Sequence, residues 1–138
     1  VISVAETTDL AICHALRRTV FIEEQAVPEE DELDDRDADA VHLLATVDGR
    51  AMGSARLLLD GPTATIGRVC VLAEARGTGL GKALMRAALD SLRARGVTTA
   101  ELGAQVHAIG FYEALGFVAE GPEYMDAGIP HRHMVLAL

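Results

Sequence analysis

Alternating apolar and polar positions open the chain, and Val1 to Ala5 reads as a first strand. Thr7-Thr8-Asp9 then offers capping side chains, and Leu10, Cys13, Leu16, Val20 and Phe21 recur at helical spacing. This helix should fade near Gln25, with Pro28 stopping any continuation. A polar, acidic stretch follows, read as a loop with a short helix. Strand patterning returns in Val41 to Val47 and Ala51 to Leu59, which flank Asp48-Gly49, a dipeptide suited to a two-residue hairpin turn. Asp60-Gly61-Pro62 marks a second turn before a strand over Thr63 to Leu72. Leu80, Leu84, Ala88 and Leu92 share one face of a helix spanning about Gly79 to Arg95, and Gly96 suits a left-handed C-terminal cap. Val97 to Ala104 is a further strand, and His107 to Leu115 a short helix closed by Gly116. Two last strands, Phe117 to Glu120 and His131 to Leu138, are joined by a turn-rich loop. The order βααβββαβαββ predicts an α/β fold, a mixed sheet with helices on its faces.

Length and composition narrow this picture without changing it. A chain of 138 residues fits one domain, residues 1–138, burying roughly two-thirds of its unfolded surface without staples. No apolar run approaches the ~20 residues of a membrane span, and the first residues lack the pattern of a secretory leader, so a cytoplasmic location is expected. Cys13 and Cys70 are too few for a disulfide framework and have no zinc-ligand spacing. The net charge of -9 argues against a nucleic-acid partner. Much of that charge lies between Glu23 and Asp39, where Glu23, Glu24, Glu29, Glu30, Asp31, Glu32, Asp34, Asp35, Asp37 and Asp39 face a single Arg36. Such a segment is either a solvated, flexible loop or a negative rim that attracts a cationic amine.

The chemistry concentrates where a strand, a glycine-rich turn and a helix follow one another. A helix N-terminus presents unpaired N–H groups and about half a positive charge, and glycines let a ligand approach the backbone. An anion is the natural guest. A nucleotide P-loop fails at both ends, because Arg76 stands where its first glycine belongs and Ala83 where its hydroxyl residue belongs. Gly77-Thr78-Gly79-Leu80-Gly81 also spaces its glycines wrongly for a dinucleotide fingerprint. A turn that merely connects strand to helix would explain the glycines, though neither Arg76 nor Lys82.

These residues carry a resemblance. Arg76-Gly77-Thr78-Gly79-Leu80-Gly81 resembles the [QR]xxGx[GA] signature of the GNAT superfamily of acetyl-CoA-dependent N-acyltransferases. Ile66 to Leu72 resembles that family's central strand, and Gln105 to Phe117 its second signature, NxxA followed by a [FY]YxxxGF-like helix. The likeness covers nearly the whole chain. Val20 to Gln25 and Gly128 to His131 resemble the bacterial ElaA/YjcF-like branch. The family's asparagine is Gln105 here, and a proline after the central strand is Ala73.

The resemblance implies a mostly antiparallel mixed sheet splayed between its fourth and fifth strands and opened by a bulge. It implies that the pyrophosphate of acetyl-CoA lies on the N–H groups of Gly77, Thr78, Gly79, Leu80, Gly81 and Lys82, with Arg76 and Lys82 adding charge. Pantetheine would pair with the backbone at Cys70 and Val71, a backbone N–H near Val71 would stabilise the oxyanion, and Gln105 would touch the cofactor. Tyr112 occupies the general-acid position, and a phenol near pKa 10 loses only about 2 kcal/mol in protonating a thiolate.

Direct attack requires a neutral amine. A lysine-like amine pays about 4.6 kcal/mol to be neutral at pH 7, so a base is expected. Glu23 and Glu24 are the candidates on the family pattern, with His42 in reserve. Each is equally readable as an ordinary surface acid or a packed strand histidine. Alternation favours a small buried thiol at Cys70 over a nucleophile. His131 and His133 share a strand face, and with His42 or His107 would sketch a metal site, but no cysteine or carboxylate at matching spacing joins them and no metal is expected. Arg56 and Arg68 read as ion-pair residues at the edge of the core, Arg68 alternatively as a partner for an acidic group of the acceptor. The expected function is acetyl transfer to a primary amine of a small molecule or peptide in a ternary complex. The alternatives are a non-catalytic acyl-CoA-binding sensor or scaffold, and a structural homodimer packed through Met134 to Leu138.

Overall fold

Asp9 starts the first helix by accepting the Ile12 N–H on its carboxylate at 3.2 Å. The computed structural model describes residues 1–138, and in it β1 (Ile2–Thr7) precedes α1 (Leu10–Arg17). The helical path then widens into a π-helical turn over Arg18–Glu24, where the Gln25 N–H reaches the Val20 carbonyl at 3.2 Å. Apolar spacing placed the end of this helix correctly but carried no sign of its wider winding. After it come α2 (Glu29–Glu32), β2 (Val41–Val47), β3 (Arg50–Asp60), β4 (Thr63–Val71), α3 (Leu80–Ala94), β5 (Thr99–Gln105), α4 (Ile109–Glu113), β6 (Val118–Asp126) and β7 (Ile129–Ala137). The observed order is βααβββαβαββ, as expected.

The seven strands form one sheet in the order β1-β2-β3-β4-β5-β7-β6. Every neighbouring pair is antiparallel except β4 and β5. The apolar stripe of α3 (Leu80, Leu84, Ala88 and Leu92, all fully buried) lies against the face that carries Leu43, Ala45, Leu57 and Ile66. Leu16 and Val20 cover the other face over Cys70 and Leu44. Each buried side chain of this size contributes about 1.5–3 kcal/mol, so the two helices fix the sheet between them.

β4 and β5 stay together only at Thr63–Thr65, opposite Thr99–Glu101. From Ile66 onwards the β5-facing edge of β4 has no strand partner. On its other edge, Ser54 pairs with Cys70 and Arg56 with Gly67, so Arg68 and Val69 together oppose Ala55. This is a β-bulge, with Arg68 held at φ 52°. The splay and its bulge are both present as the resemblance implied.

Two expectations need correction. β6 runs on to Asp126 and joins β7 through Ala127-Gly128, both at positive φ, in place of a turn-rich loop. Turn chemistry hid this hairpin, because alanine rarely takes the left-handed conformation that such a tight turn needs. β7 lies between β5 and β6, and Met134 is fully buried, so Met134 to Leu138 offers no free strand edge for a structural dimer.

The acidic segment is solvated only in part. Glu32 is 2% exposed and Asp37 8%, and both descend onto arginines. Arg17, itself 1% exposed, donates to Glu32 at 2.7 Å and to Asp37 at 2.9 Å. Arg56 binds Asp34 at 2.7 Å and Asp37 at 3.1 Å. The bulge residue Arg68 binds Glu32 at 2.9 Å and Asp34 at 3.3 Å. Arg56 and Arg68 are thus the ion-pair residues the sequence suggested, and Arg17 is the member it did not. The segment clamps the bulge.

Candidate active site

Where β4 and β5 diverge they leave a cleft of about 320 Å³, walled by the π-helical turn, α2, β4, β5, α4 and the β6–β7 hairpin. Phe21, Val27, Leu58, Ile66, Val69 and Leu102 make its apolar lining. Gln25, Thr65, Gln105, Tyr112, Tyr124 and His131 bring polar groups, and Asp31 and Asp126 bring carboxylates that enter no ion pair. A narrow slot with one unpaired strand edge can take an extended chain that pairs with backbone while its head meets side chains at the far end.

Tyr112 stands on this wall, packed edge-on against Phe111 and Phe117 with ring centroids 5.0 and 6.0 Å away. Burial pushes its phenol up to about 12. No protein group shares a hydrogen bond with its hydroxyl. Cys70 is 3% exposed, its sulfur 3.4 Å from Ser54 Oγ, and burial raises its thiol to about 11 despite that bond. Its side chain faces the α1 layer, beside Leu16 and Val20.

The glycine turn is exposed from Arg76 to Gly79, and Leu80 behind it is fully buried, which anchors the helix start. Gly79 is the N-cap of α3 at φ 88°, a conformation that L side chains rarely adopt, and no side chain caps the first turn. The N–H groups at Leu80, Gly81 and Lys82 are thus left free of intrahelical partners. Lys82 is exposed. Thr78 donates its hydroxyl to the Ala75 carbonyl at 2.5 Å, bracing the turn.

Arg76 is not a free rim charge. Its Nε donates to the Val71 carbonyl at 3.1 Å and its terminal nitrogen to Glu24 at 2.7 Å. It ties the turn both to the end of β4 and to the π-helical turn. Glu24 is held by that ion pair, and neither it nor the exposed Glu23 lines the cleft. Gln105 donates to Gln25 Oε1 at 2.9 Å and meets His107 Nε2 at 2.7 Å, which closes a link across the cleft from β5 to the end of the first helix. His42 lies outside the cleft. It is 4% exposed, its Nε2 2.9 Å from the Asp37 carbonyl, and it packs as a strand histidine.

His131 and His133 go separate ways. His133 meets Glu120 at 3.1 Å and Glu101 at 3.6 Å, while His131 turns into the cleft beside Tyr124. No group of three or more His, Cys, Asp or Glu side chains is arranged to hold a metal. Tyr124, Asp126 and His131 come together only because β6 and β7 form a tight hairpin, and the signal that could have placed them was the Asp126-Ala127-Gly128 turn.

A mostly antiparallel sheet split between a bulged central strand and its parallel neighbour, followed by a glycine turn that opens a helix, is the architecture the resemblance implied. The family model for the acetyltransferase (GNAT) domain matches residues 6–138, and the chain belongs to this family. It is 32% identical over 121 residues to a Bacillus subtilis (strain 168) protein named uncharacterized N-acetyltransferase YjcF, covering 87% of this chain and 86% of that one. Among solved structures it is similar to an acyl-CoA N-acyltransferase from Pseudomonas aeruginosa (35% identity, TM-score 0.85, 99% of each chain). Escherichia coli ElaA is similar as well, with 29% identity and a TM-score of 0.86, covering 98% of this chain and 99% of that one. The family uses acetyl-CoA and acts on amines. No helix is long and apolar enough to cross a membrane.

Proposed function

We propose that this protein transfers the acetyl group of acetyl-CoA to a primary amine, by direct attack within a ternary complex. The observation that carries this is the β4 edge that parts from β5 after Thr65 and lines, through Ile66 to Val69, the same cleft as Tyr112. The pyrophosphate rests on the N–H groups of Gly77 to Lys82, and Lys82 supplies charge there. Arg76, engaged with Val71 and Glu24, positions the turn. Pantetheine lies along Cys70 and Val71 towards Gln105 and Tyr112, and a backbone N–H near Val71 receives the thioester oxygen, a contact of the kind worth about 3–4 kcal/mol.

Tyr112 serves the leaving sulfur. At about 12 its phenol stays protonated throughout the working range. Against a thiol near 8.5, full proton transfer ahead of C–S cleavage would cost about 5 kcal/mol. The hydroxyl therefore hydrogen-bonds the sulfur first and gives up its proton as charge collects there. Glu24, fixed by Arg76, and the neighbouring Glu23 act on the amine side only through intervening water, since neither reaches the cleft wall. Asp31 and Asp126, both unpaired at the cleft, favour a cationic acceptor, a small molecule or a peptide amine.

Free-thiol release from acetyl-CoA across a panel of amines tests the reading. Turnover with at least one cationic amine is expected, and Tyr112→Phe should lose about 10²-fold in kcat with acetyl-CoA affinity kept. Binding of acetyl-CoA without thiol release from any amine would make the protein a sensor or scaffold. A Tyr112→Phe variant at full rate would remove the phenol from the mechanism.

A further inference from the structure

We propose that His131 is the base that takes the proton from the acceptor amine, a step that rests on the acyl-transfer reading. His131 pairs in register with Gln105, the last residue of β5, and with Tyr124 of β6. That places it at the open end of the splay, on the cleft wall. The residue is 9% exposed, and its ring stacks on Tyr124 with centroids 5.8 Å apart and planes inclined by 25°.

The hydrogen bond on the far side of the ring fixes its tautomer. Nδ1 lies 2.6 Å from the Ile129 carbonyl oxygen. A carbonyl only accepts, so the proton sits on Nδ1 and the neutral ring keeps a bare lone pair on Nε2. No protein group bonds Nε2. Arg56 Nε is the one buried side-chain polar atom without a partner, so the unpartnered Nε2 of His131 is accessible, on a residue that lines the cleft. When Nε2 takes a proton, the Nδ1–H bond to Ile129 becomes charge-assisted and steadies the imidazolium. A base must reach the proton it abstracts, and His131 lines the cleft where Glu23 and Glu24 do not.

The protons balance. The bound ammonium gives one proton to His131 Nε2, and the freed lone pair attacks the thioester carbon. The C–N bond forms, the intermediate collapses, and the C–S bond breaks as Tyr112 gives its proton to the sulfur. The second proton leaving nitrogen restores Tyr112, and His131 returns its own to solvent.

Several charged or titratable groups surround the ring. Tyr124 stacks on it from β6, and Asp126 of β6 and Tyr112 of α4 line the same cleft. Asp31 and Glu32 of the acidic segment, Arg68 of β4 and Arg56 of β3 line the same cleft, with Glu32 neutralised by Arg17 and Arg68. β5 contributes only Gly103 and the amide of Gln105 beside it, while Arg132 and His133 flank it on β7.

The test compares wild type with His131→Gln and His131→Ala, using acetyl-CoA and the best amine of the panel. Each variant should lose at least ~10²-fold in kcat/KM for the amine, with acetyl-CoA affinity within about twofold of wild type. The acid limb of the wild-type pH–rate profile should disappear in both variants. Free imidazole should restore turnover to His131→Ala, which a purely structural role would not permit. In wild type, nitrogen-15 NMR should report a protonated Nδ1 and a bare Nε2, whether or not the variants fold. Retention of a third of the wild-type rate with an unchanged acid limb, or an Nε2–H tautomer, would overturn the proposal. Wild-type protein that binds acetyl-CoA yet acetylates nothing would instead overturn the acyl-transfer reading, and this inference with it.

Discussion

Cys70 illustrates how much of a residue's chemistry its strand face decides. The residue sits in the central strand beside the splay, yet its side chain points into the α1 layer against Leu16 and Val20. Burial lifts its thiol to about 11, and Ser54 Oγ lies 3.4 Å from its sulfur. A thiolate is the reactive species, so this sulfur is inert at neutral pH. Native protein should therefore resist iodoacetamide at Cys70 until it is unfolded, and Cys70→Ala should keep kcat while losing some stability to the cavity. Mass-spectrometric labelling reads the first outcome and steady-state kinetics the second. Rapid native alkylation of Cys70 that abolished turnover would reinstate it as a nucleophile. Period-2 alternation alone had indicated a buried thiol, because a strand offers each side chain only two faces.

Elements with a strong period were legible, and those set by distant partners were not. The stripe Leu80, Leu84, Ala88 and Leu92 gave α3 within one residue at each end. Asp48-Gly49 gave the β2–β3 hairpin because that pair suits its turn, and Val47 indeed faces Arg50. β6 escaped detection beyond Glu120 because Gly121 and Pro122 interrupt its alternation, where its register on β7 also shifts. Three residues of the cleft wall, Tyr124, Asp126 and His131, escaped as a group for the same reason. The glycine turn was read as one motif, but its glycines differ physically. Gly79 needs its φ of 88°, whereas a methyl group at Gly81 would meet only ordinary contacts, 3.6 Å from Phe111 and 3.8 Å from Val71. Gly81→Ala should therefore bind acetyl-CoA as wild type does and gain up to ~1 kcal/mol from helix propensity. Gly79→Val should distort the turn and weaken acetyl-CoA binding at least tenfold. Calorimetric titration with thermal melting separates the two, and equal affinities would sink the pyrophosphate assignment.

Across the whole molecule the acidic segment works as a structural clamp through Glu32, Asp34 and Asp37, and their partners explain why composition did not single them out. A run of like charges looks solvated from within, but its counter-ions come from α1, β3 and β4, with Arg17 15 residues and Arg68 36 residues from Glu32. Burial alone would raise Asp37. Hydrogen bonds from Arg17, His14 and Arg56, with the charge of Arg17, outweigh it and hold the carboxyl far below the ordinary range. Asp34 is lowered in the same way by Arg56, the Arg36 N–H and Arg68. Both groups titrate lower when folded, so the unfolded chain takes up protons first as pH falls. Their contribution is complete above the unfolded value near 3.9 and drains away below it. Denaturation midpoints should be level between about pH 7 and 5 and drop steeply towards pH 3. Asp37→Asn should lose about 3–5 kcal/mol at pH 7, a large share of a domain's ~5–15, because Arg17 and Arg56 are left buried with too little counter-charge. The variant's acid dependence should be shallower, since the most depressed carboxyl is gone. Because Glu32 and Asp34 also hold Arg68 in its bulge, acid should open the clamp and the acyl-CoA cleft together. Acetyl-CoA affinity is thus expected to fall over the same pH interval as stability, and a midpoint unchanged from pH 5 to 3 would show that the ion network contributes nothing to the fold.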